Sequence, residues 1–422
     1  MMPQRIRFIL IVLAALLIGY TVGVTKVNWE WKNFRPHVQV INKEPPPSLM
    51  TADFSQFWTV LSKIETNYYD KKAIDSQKLL NGAIMGMVES LDDPYTVYLP
   101  PKENTDFKQS LAGQFEGIGA ELSIKEQQII VVAPLDGSPA ERAGVKAGDA
   151  ILKVNDESIA GWTLQEAVDK IRGPKGTEVK LAVLHKYDTK PTDVKIIRDT
   201  IQVKSLVSWT KSVKEIDAIN SKSASFSGQL DDKVTYIRLS QFGDTANKEW
   251  TDVAIKLNQE LQQQKDVRGI ILDLRNNPGG YLTDAVYIAS EFVKDGTAVM
   301  QENKNGEREA FAVSGRGMLT NMPVVVLLNG GSASASEIVA GALRDHKRAE
   351  IVGEKSFGKG TIQEAEDLGG GAGLHVTIAK WLTPNGTWVH KEGLQPDYVI
   401  SLDPGDPARD TQLEKAVEVL VK

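Results

Sequence analysis

The sequence predicts a multidomain α/β protein held to a membrane by its N-terminus, and three observations carry that expectation. From Val234 onward the order is strand, helix, strand. The uninterrupted apolar runs Gly269 to Leu274 and Val324 to Leu328 are of the kind buried on both faces of a parallel sheet. From Phe115 to Leu184 the texture is β-rich, with short strands punctuated by glycine turns. At the start, Arg5 and Arg7 precede an apolar run from Phe8 to Val24 whose only polar side chains are Tyr20 and Thr21.

That first run, closed by Lys26, is at the short end of what spans a bilayer as a helix. The preceding arginines orient the N-terminus to the cytoplasm, so the remainder is expected outside it. A cleaved signal peptide is the competing reading, but no convincing small-x-small cleavage site follows the run. Residues 27–50 hold Trp29, Trp31, scattered charges and Pro45-Pro46-Pro47, and read as a stiff spacer without regular structure. Phe54, Phe57, Trp58, Leu61 and Ile64 follow helical spacing, Leu79 to Met87 begin a second helix, and Asp92-Asp93-Pro94 stops it.

Composition narrows the chemistry. The 422 residues are 41% apolar and 25% charged, ordinary for folded protein. The net charge of −6 is spread without long blocks of one sign, so no nucleic-acid partner is expected. There are no cysteines, which removes thiol nucleophiles, disulfides and thiolate metal sites. The five histidines, His37, His185, His346, His375 and His390, form no i,i+4 pair and no HExxH, so neither a metal site nor a cofactor is called for. Catalysis is left to Ser, Lys, Asp, Glu or backbone groups.

Within the β-rich stretch, Gly137-Ser138-Pro139-Ala140 opens a short helix closed by Gly144, and Gly148-Asp149 is a turn. Ala150 to Asn155 is a strand, Leu164 to Ile171 an amphipathic helix, and Val179 to Leu184 a final strand. That order, over about 110–188, resembles a PDZ domain of the type found in secreted bacterial proteases. Such domains take a bound C-terminal segment as an added strand while backbone N–H groups capture its carboxylate. The resemblance places that loop at Gly117, Ile118 and Gly119.

The segment richest in chemistry is Asn329-Gly330-Gly331-Ser332-Ala333-Ser334-Ala335-Ser336-Glu337, between a buried strand and an apolar-faced helix. A serine at such a junction lies near the positive end of a helix, beside backbone N–H groups that can stabilise an oxyanion. Ser334 to Glu337 is also an S-x-x-E capping box, which explains one serine without catalysis. The second segment, Gly353-Glu354-Lys355-Ser356-Phe357-Gly358-Lys359-Gly360-Thr361, pins a lysine between two glycines, a frame that a solvated lysine does not need.

With Asp273-Leu274-Arg275-Asn276-Asn277-Pro278-Gly279-Gly280 upstream, these phrases closely resemble the carboxyl-terminal processing, or tail-specific, peptidases. The likeness runs from Asp93-Pro94-Tyr95 through the PDZ phrases to Leu382-Thr383-Pro384-Asn385-Gly386 and Gly393-Leu394-Gln395-Pro396-Asp397. It implies a crotonase-like α/β protease core with an inserted PDZ domain. It makes Ser334 the nucleophile, Lys359 the general base, Gln363 the residue that orients the lysine, and the amides of Gly280 and Ala335 the oxyanion donors. Asp345 matches a position implicated in family activity, though an aspartate at a helix end is also explained by capping.

A lysine base makes a physical demand. At its ordinary pKa of about 10.4, fewer than ~0.1% of the side chains are neutral at pH 7, so burial must lower it and no carboxylate should contact it closely.

Three rival readings compete for these residues. Gly353 to Lys359 nearly matches a P-loop, but Gly360 stands where a magnesium-binding hydroxyl is required. Ser356 to Lys359 spells S-x-x-K, which needs a helix that the glycines disfavour. A Ser-His-Asp triad would use His346, about 18 Å from Ser334 along the helix, or His375.

The sequence thus predicts a membrane anchor (1–26), linker (27–50), helical segment (51–109), PDZ domain (110–188), protease core (189–400) and C-terminal segment (401–422). The expected activity is serine endopeptidase action near substrate C-termini, and the expected partners are proteins with exposed C-termini and the membrane. An inactive PDZ adaptor or chaperone is the alternative; a homodimer and a regulatory partner stay open.

Overall fold

The computed structural model describes residues 27–32, 35–40, 53–125, 127–135, 137–186, 188–219, 230–263, 266–403, 405–406 and 409–422. The expected anchor, 1–26, lies outside them, and among the described residues no helix is long and apolar enough to cross a membrane. The chain divides into units of residues 1–80 and 81–422. The spacer reading needs correction within the first unit. Val27–Lys32 pairs antiparallel with Arg35–Val40, Trp29 opposite Val38, because alternating aromatic and β-branched residues favour a pleated pair. The expected helices appear as Ser55–Asn67 and Ser76–Glu89.

The second unit is built on a six-stranded sheet in the order Leu206–Ser212, Lys233–Leu239, Val267–Asp273, Val324–Leu328, Ala349–Gly353, Tyr398–Val399. All neighbours are parallel except the antiparallel first pair. The apolar runs are continuous because both faces are covered. Ile270, Leu272, Val324, Val326 and Leu328 pack beneath the helices Ala246–Gln263, Leu282–Phe292 and Ala335–Asp345. Their alternates Ile271, Val325 and Leu327 meet Val213, Ile216, Ala416 and Val417 on the opposite face. The C-terminal helix Thr411–Val421 therefore docks on the core of its own chain.

A second, antiparallel sheet joins Arg308–Ala312, Thr297–Asn303, Ala372–Leu382 and Thr361–Gly369. Val97–Leu99 adds to it beside Gly373–His375, so a strand that precedes the β-rich domain is completed by one far beyond it.

A third sheet, of six strands, is ordered Thr192–Ile197, Glu178–Leu184, Ala150–Val154, Gln128–Pro134, Ala120–Lys125, with Glu157–Ser158 pairing Ala150–Val154 off this path. Its core gathers Val131, Leu181, Val183, Ala167 and Ile171. The strand Thr192–Ile197 lies past the boundary drawn at 188 and belongs to this sheet. Entry and exit are tied together where Gln114–Gly117 pairs with Asp199–Gln202.

Candidate active site

The strand Val324–Leu328 ends in a loop that turns at Ser334 into the helix Ala335–Asp345. Ser334 is the N-cap, with φ +55° and ψ −115°. A residue with a Cβ in this region costs on the order of 1–3 kcal/mol and persists only when its surroundings over-determine it. Here they do. Ser332 Oγ donates to Leu274 O and Ser336 Oγ to Asn277 O, both at 2.9 Å, and Ala333 N–H donates to Asn277 O at 3.0 Å. Ser332 and Ser336 are fully buried and their hydroxyls are committed to backbone, whereas Ser334 is partly exposed. Of the three serines in the motif, the middle one is presented to solvent.

The turn Asn276–Gly280 packs directly against this elbow. Asn277 Nδ2 donates to Leu239 O at 2.8 Å and its Oδ1 accepts from Gly279 N–H at 2.9 Å. Gly279 has φ +100°, and a Cβ there would stand 2.8 Å from Ser334 Cβ and 3.0 Å from Ala335 N. Gly280 forms a parallel bridge with Phe242, and a Cβ on it would lie 1.7 Å from Phe242 O. That bridge uses Gly279 C=O and Tyr281 N–H, at 2.9 and 3.0 Å, so the Gly280 amide takes no part in it. The Ala335 amide, in the first turn of its helix, likewise has no intrahelical acceptor. Of the two expected oxyanion donors, Ala335 follows Ser334 directly and Gly280 follows the glycine that abuts it.

Lys359 arrives on the loop that leads into the strand Thr361–Gly369. One buried carboxylate joins this loop to the elbow. Glu337 Oε2 accepts from Ser334 N–H at 2.8 Å and Lys359 N–H at 2.9 Å; its Oε1 accepts from Ser356 Oγ at 2.6 Å and Gly358 N–H at 2.7 Å. Two tryptophans hold the loop from the other side: Trp381 Nε1 donates to Lys359 O and Trp388 Nε1 to Gly360 O, each at 2.8 Å. The capping-box glutamate expected to explain a serine away is what brings serine and lysine together.

Burial pushes the Lys359 amine below its ordinary pKa; Asp93 and Glu337 oppose this as charges at a distance, without a hydrogen bond to the amine. Tyr95 offers its ring face to Nζ at 5.2 Å from the centroid. Gln363 Nε2 donates to Thr361 Oγ1 at 2.9 Å and Thr377 Oγ1 at 3.0 Å. The amide group left is its carbonyl oxygen, the acceptor an amine needs.

The rival motifs do not form. Lys359 is followed by a strand, where a P-loop requires a helix. The Ser356 hydroxyl donates to Glu337 and accepts from Leu394 N–H at 2.7 Å, so it is used up structurally. His346 caps the far end of the Ser334 helix with Nε2 2.7 Å from Thr297 O. His375 packs edge-to-face on Phe107 at 4.5 Å. Asp345 accepts from Asn385 N–H at 2.9 Å, a loop-fixing contact at that same far end. Glu337, Tyr95 and Asp93 are what the sequence reasoning missed as site residues. Their signal was present in the S-x-x-E and Asp93-Pro94-Tyr95 phrases, but nothing local joined them to Lys359.

In the β-rich domain, Gly117 ends its strand opposite Asp199, Gly119 has φ +72°, and Ile118 is buried. Ile118 C=O accepts from Ala140 N–H at 2.8 Å and Gly119 C=O from Leu135 N–H at 2.9 Å. With the carbonyls turned inward, the polarity left to this loop is that of N–H donors. The adjoining strand Ala120–Lys125 is the edge of its sheet, open to strand addition beside the helix Leu164–Ile171. A cavity of about 390 Å³ lined by Trp209, Lys233, Lys256 and Glu260 holds none of the candidate site residues.

An over-determined serine and a half-buried lysine whose backbone N–H groups share one carboxylate, on a layered α/β core that carries a peptide-binding type of β-domain, point to a serine peptidase. The chain belongs to peptidase family S41, as a C-terminal processing protease with a PDZ domain: residues 233–400 match Peptidase family S41 and residues 130–184 match the PDZ domain. Residues 16–103 match the N-terminal domain of the activating protease CtpB. The carboxy-terminal processing protease CtpA of Bacillus subtilis is 39% identical over 358 residues, 84% of this chain and 71% of that one. CtpB of the same organism is 37% identical over 383 residues, 88% of this chain and 74% of that one. Among solved structures, a photosystem II D1 C-terminal processing protease aligns with TM-score 0.50 and 29% identity, covering 87% of this chain and 92% of that one.

Proposed function

We propose that this peptidase is anchored in the cell membrane by its N-terminal apolar segment, with its catalytic domains outside the cytoplasm, and that Ser334 and Lys359 cleave proteins near their C-termini. The PDZ domain selects the substrate tail through Gly117, Ile118 and Gly119. In the catalytic cycle, neutral Lys359 takes the Ser334 hydroxyl proton as Oγ attacks the scissile carbonyl. The Gly280 and Ala335 amides receive the oxyanion. The protonated lysine then gives its proton to the leaving amine, and water, activated by the same amine, releases the acyl group. Gln363 orients the lysine through its carbonyl. The parallel sheet and its flanking helices are read as a crotonase-like core.

The observation that carries this reading is the shared Glu337 carboxylate, which fixes Ser334 and Lys359 to one point. The test is digestion of an unfolded protein by the membrane-inserted chain, with a free or an amidated C-terminus. Cleavage of the free form that is lost in Ser334→Ala supports the reading; equal cleavage by Ser334→Ala, or binding of tails without cleavage by the wild type, overturns it. Accessibility of the catalytic domains to an external protease in intact cells tests the topology.

A further inference from the structure

The Asp93-Pro94-Tyr95-Thr96 phrase is far from Lys359 in sequence and beside it in the fold. Asp93 accepts from Tyr95 N–H at 3.1 Å and from Thr96 Oγ1 at 2.7 Å. The Thr96 oxygen in turn accepts from Thr377 N–H at 3.1 Å. The Thr377 hydroxyl oxygen accepts from Gln363 Nε2 at 3.0 Å.

Proton direction follows from the donor inventory. An ionised carboxylate only accepts, so the Thr96 hydroxyl proton points to Asp93 and its lone pairs face Thr377 N–H. The Gln363 amide presents its NH₂ to the Thr377 hydroxyl, which leaves its carbonyl oxygen for the lysine. We propose, resting on the reading of Lys359 as general base, that Asp93 is a positioning residue for it: through Thr96 it holds in place Thr377, the residue whose hydroxyl holds the Gln363 amide. Its charge acts on Lys359 as well, since Asp93 favours the ammonium form.

The charged and titratable groups around this lysine come from three elements: Asp93 and Tyr95 from the phrase itself, Glu337 from the serine helix, His375 from the neighbouring strand. His390 stands 6.0 Å from the Tyr95 ring and acts on Asp93. Of these, Asp93 is the one joined by hydrogen bonds, through Thr96, to the residue that holds Gln363.

The test is the rate of Ser334 labelling by a fluorophosphonate against pH, on the full chain in detergent, for Asp93→Asn, Thr377→Val, Thr377→Ser and Lys359→Ala, with circular dichroism to confirm folding. Asp93→Asn is expected to lower the plateau about tenfold and to move the acid limb to lower pH. Thr377→Val is expected to lower the plateau about as much, and Thr377→Ser, which keeps the hydroxyl, to restore it to within about twofold. If Asp93→Asn does not fold, the contrast between Thr377→Val and Thr377→Ser decides alone. An unmoved acid limb in Asp93→Asn, or equal plateaus for the valine and serine variants, overturns the proposal while Lys359→Ala stays inert. Labelling of Lys359→Ala at the wild-type rate instead sinks the underlying reading of the lysine.

Discussion

Ser334 and Lys359, 25 positions apart in the chain, donate their backbone N–H groups to the same oxygen, Glu337 Oε2, at 2.8 and 2.9 Å. The lysine loop runs from the sheet that carries the elbow to the antiparallel one, and this carboxylate, with Phe357 N–H on Ser332 O, sets its spacing from the elbow. Glu337→Gln keeps the shape but turns one acceptor into a donor facing backbone N–H groups. Each buried donor left unpaired costs about 1–3 kcal/mol. The expected result is a fall in kcat of about a hundredfold, with KM for a peptide substrate little changed and a lower urea midpoint; steady-state kinetics and urea unfolding check both.

Gly279→Ala places a methyl group 2.8 Å from Ser334 Cβ at φ +100°. Both the contact and the dihedral oppose it, so a loss of about 2–4 kcal/mol is expected, with activity falling by at least about a hundredfold because the serine is displaced. Gly330→Ala is the control, since a Cβ there meets nothing within 4 Å. Urea denaturation and a peptide-cleavage assay distinguish them.

Burial lowers the Lys359 pKa in the folded state, so between the folded and unfolded values the unfolded chain holds more protons. Stability then rises with pH across that window. Lys359→Met removes the cost of burying the charge and is expected to be more stable than the wild type near neutrality, the gap narrowing as pH climbs toward the ordinary 10.5. Urea titrations at a series of pH values read the gap; one that widens with pH contradicts the buried-amine picture.

A free substrate carboxylate is expected to matter through the loop of Gly117, Ile118 and Gly119. Amidating the C-terminus of a substrate should raise KM about tenfold or more, and Gly119→Ala should reduce the difference between free and amidated substrates. A Cβ there would lie 2.6 Å from Ser138 Cβ at φ +72°. Equal KM values for both substrates in the wild type would remove tail capture from the account.

The parts legible in the sequence were those whose signal is local. The continuous apolar runs at Gly269–Leu274 and Val324–Leu328 gave the parallel strands because burial on both faces needs no polar alternation. The spacing of Leu164 to Ile171 gave the helix of the PDZ domain. The parts not legible were those made by closure in space. Nothing near Asp93 shows that Thr96 meets Thr377, 281 positions away. Nor does S-x-x-E show that the glutamate of an apparent helix cap also holds the lysine loop. The hairpin at Val27–Val40 was obscured because the proline run just beyond it dominated the composition of the segment.

The central claim is that Lys359 reaches neutrality at a pH where exposed lysines stay charged, and the direct measurement is an NMR titration of lysine side-chain nitrogens in the folded wild-type protein, with Lys359→Arg assigning the resonance. The account predicts that the Lys359 resonance titrates below the other lysines, and that the rate of Ser334 acylation rises along the same curve. A Lys359 resonance that titrates together with the exposed lysines, while Ser334 still acylates at full rate at neutral pH, would contradict it.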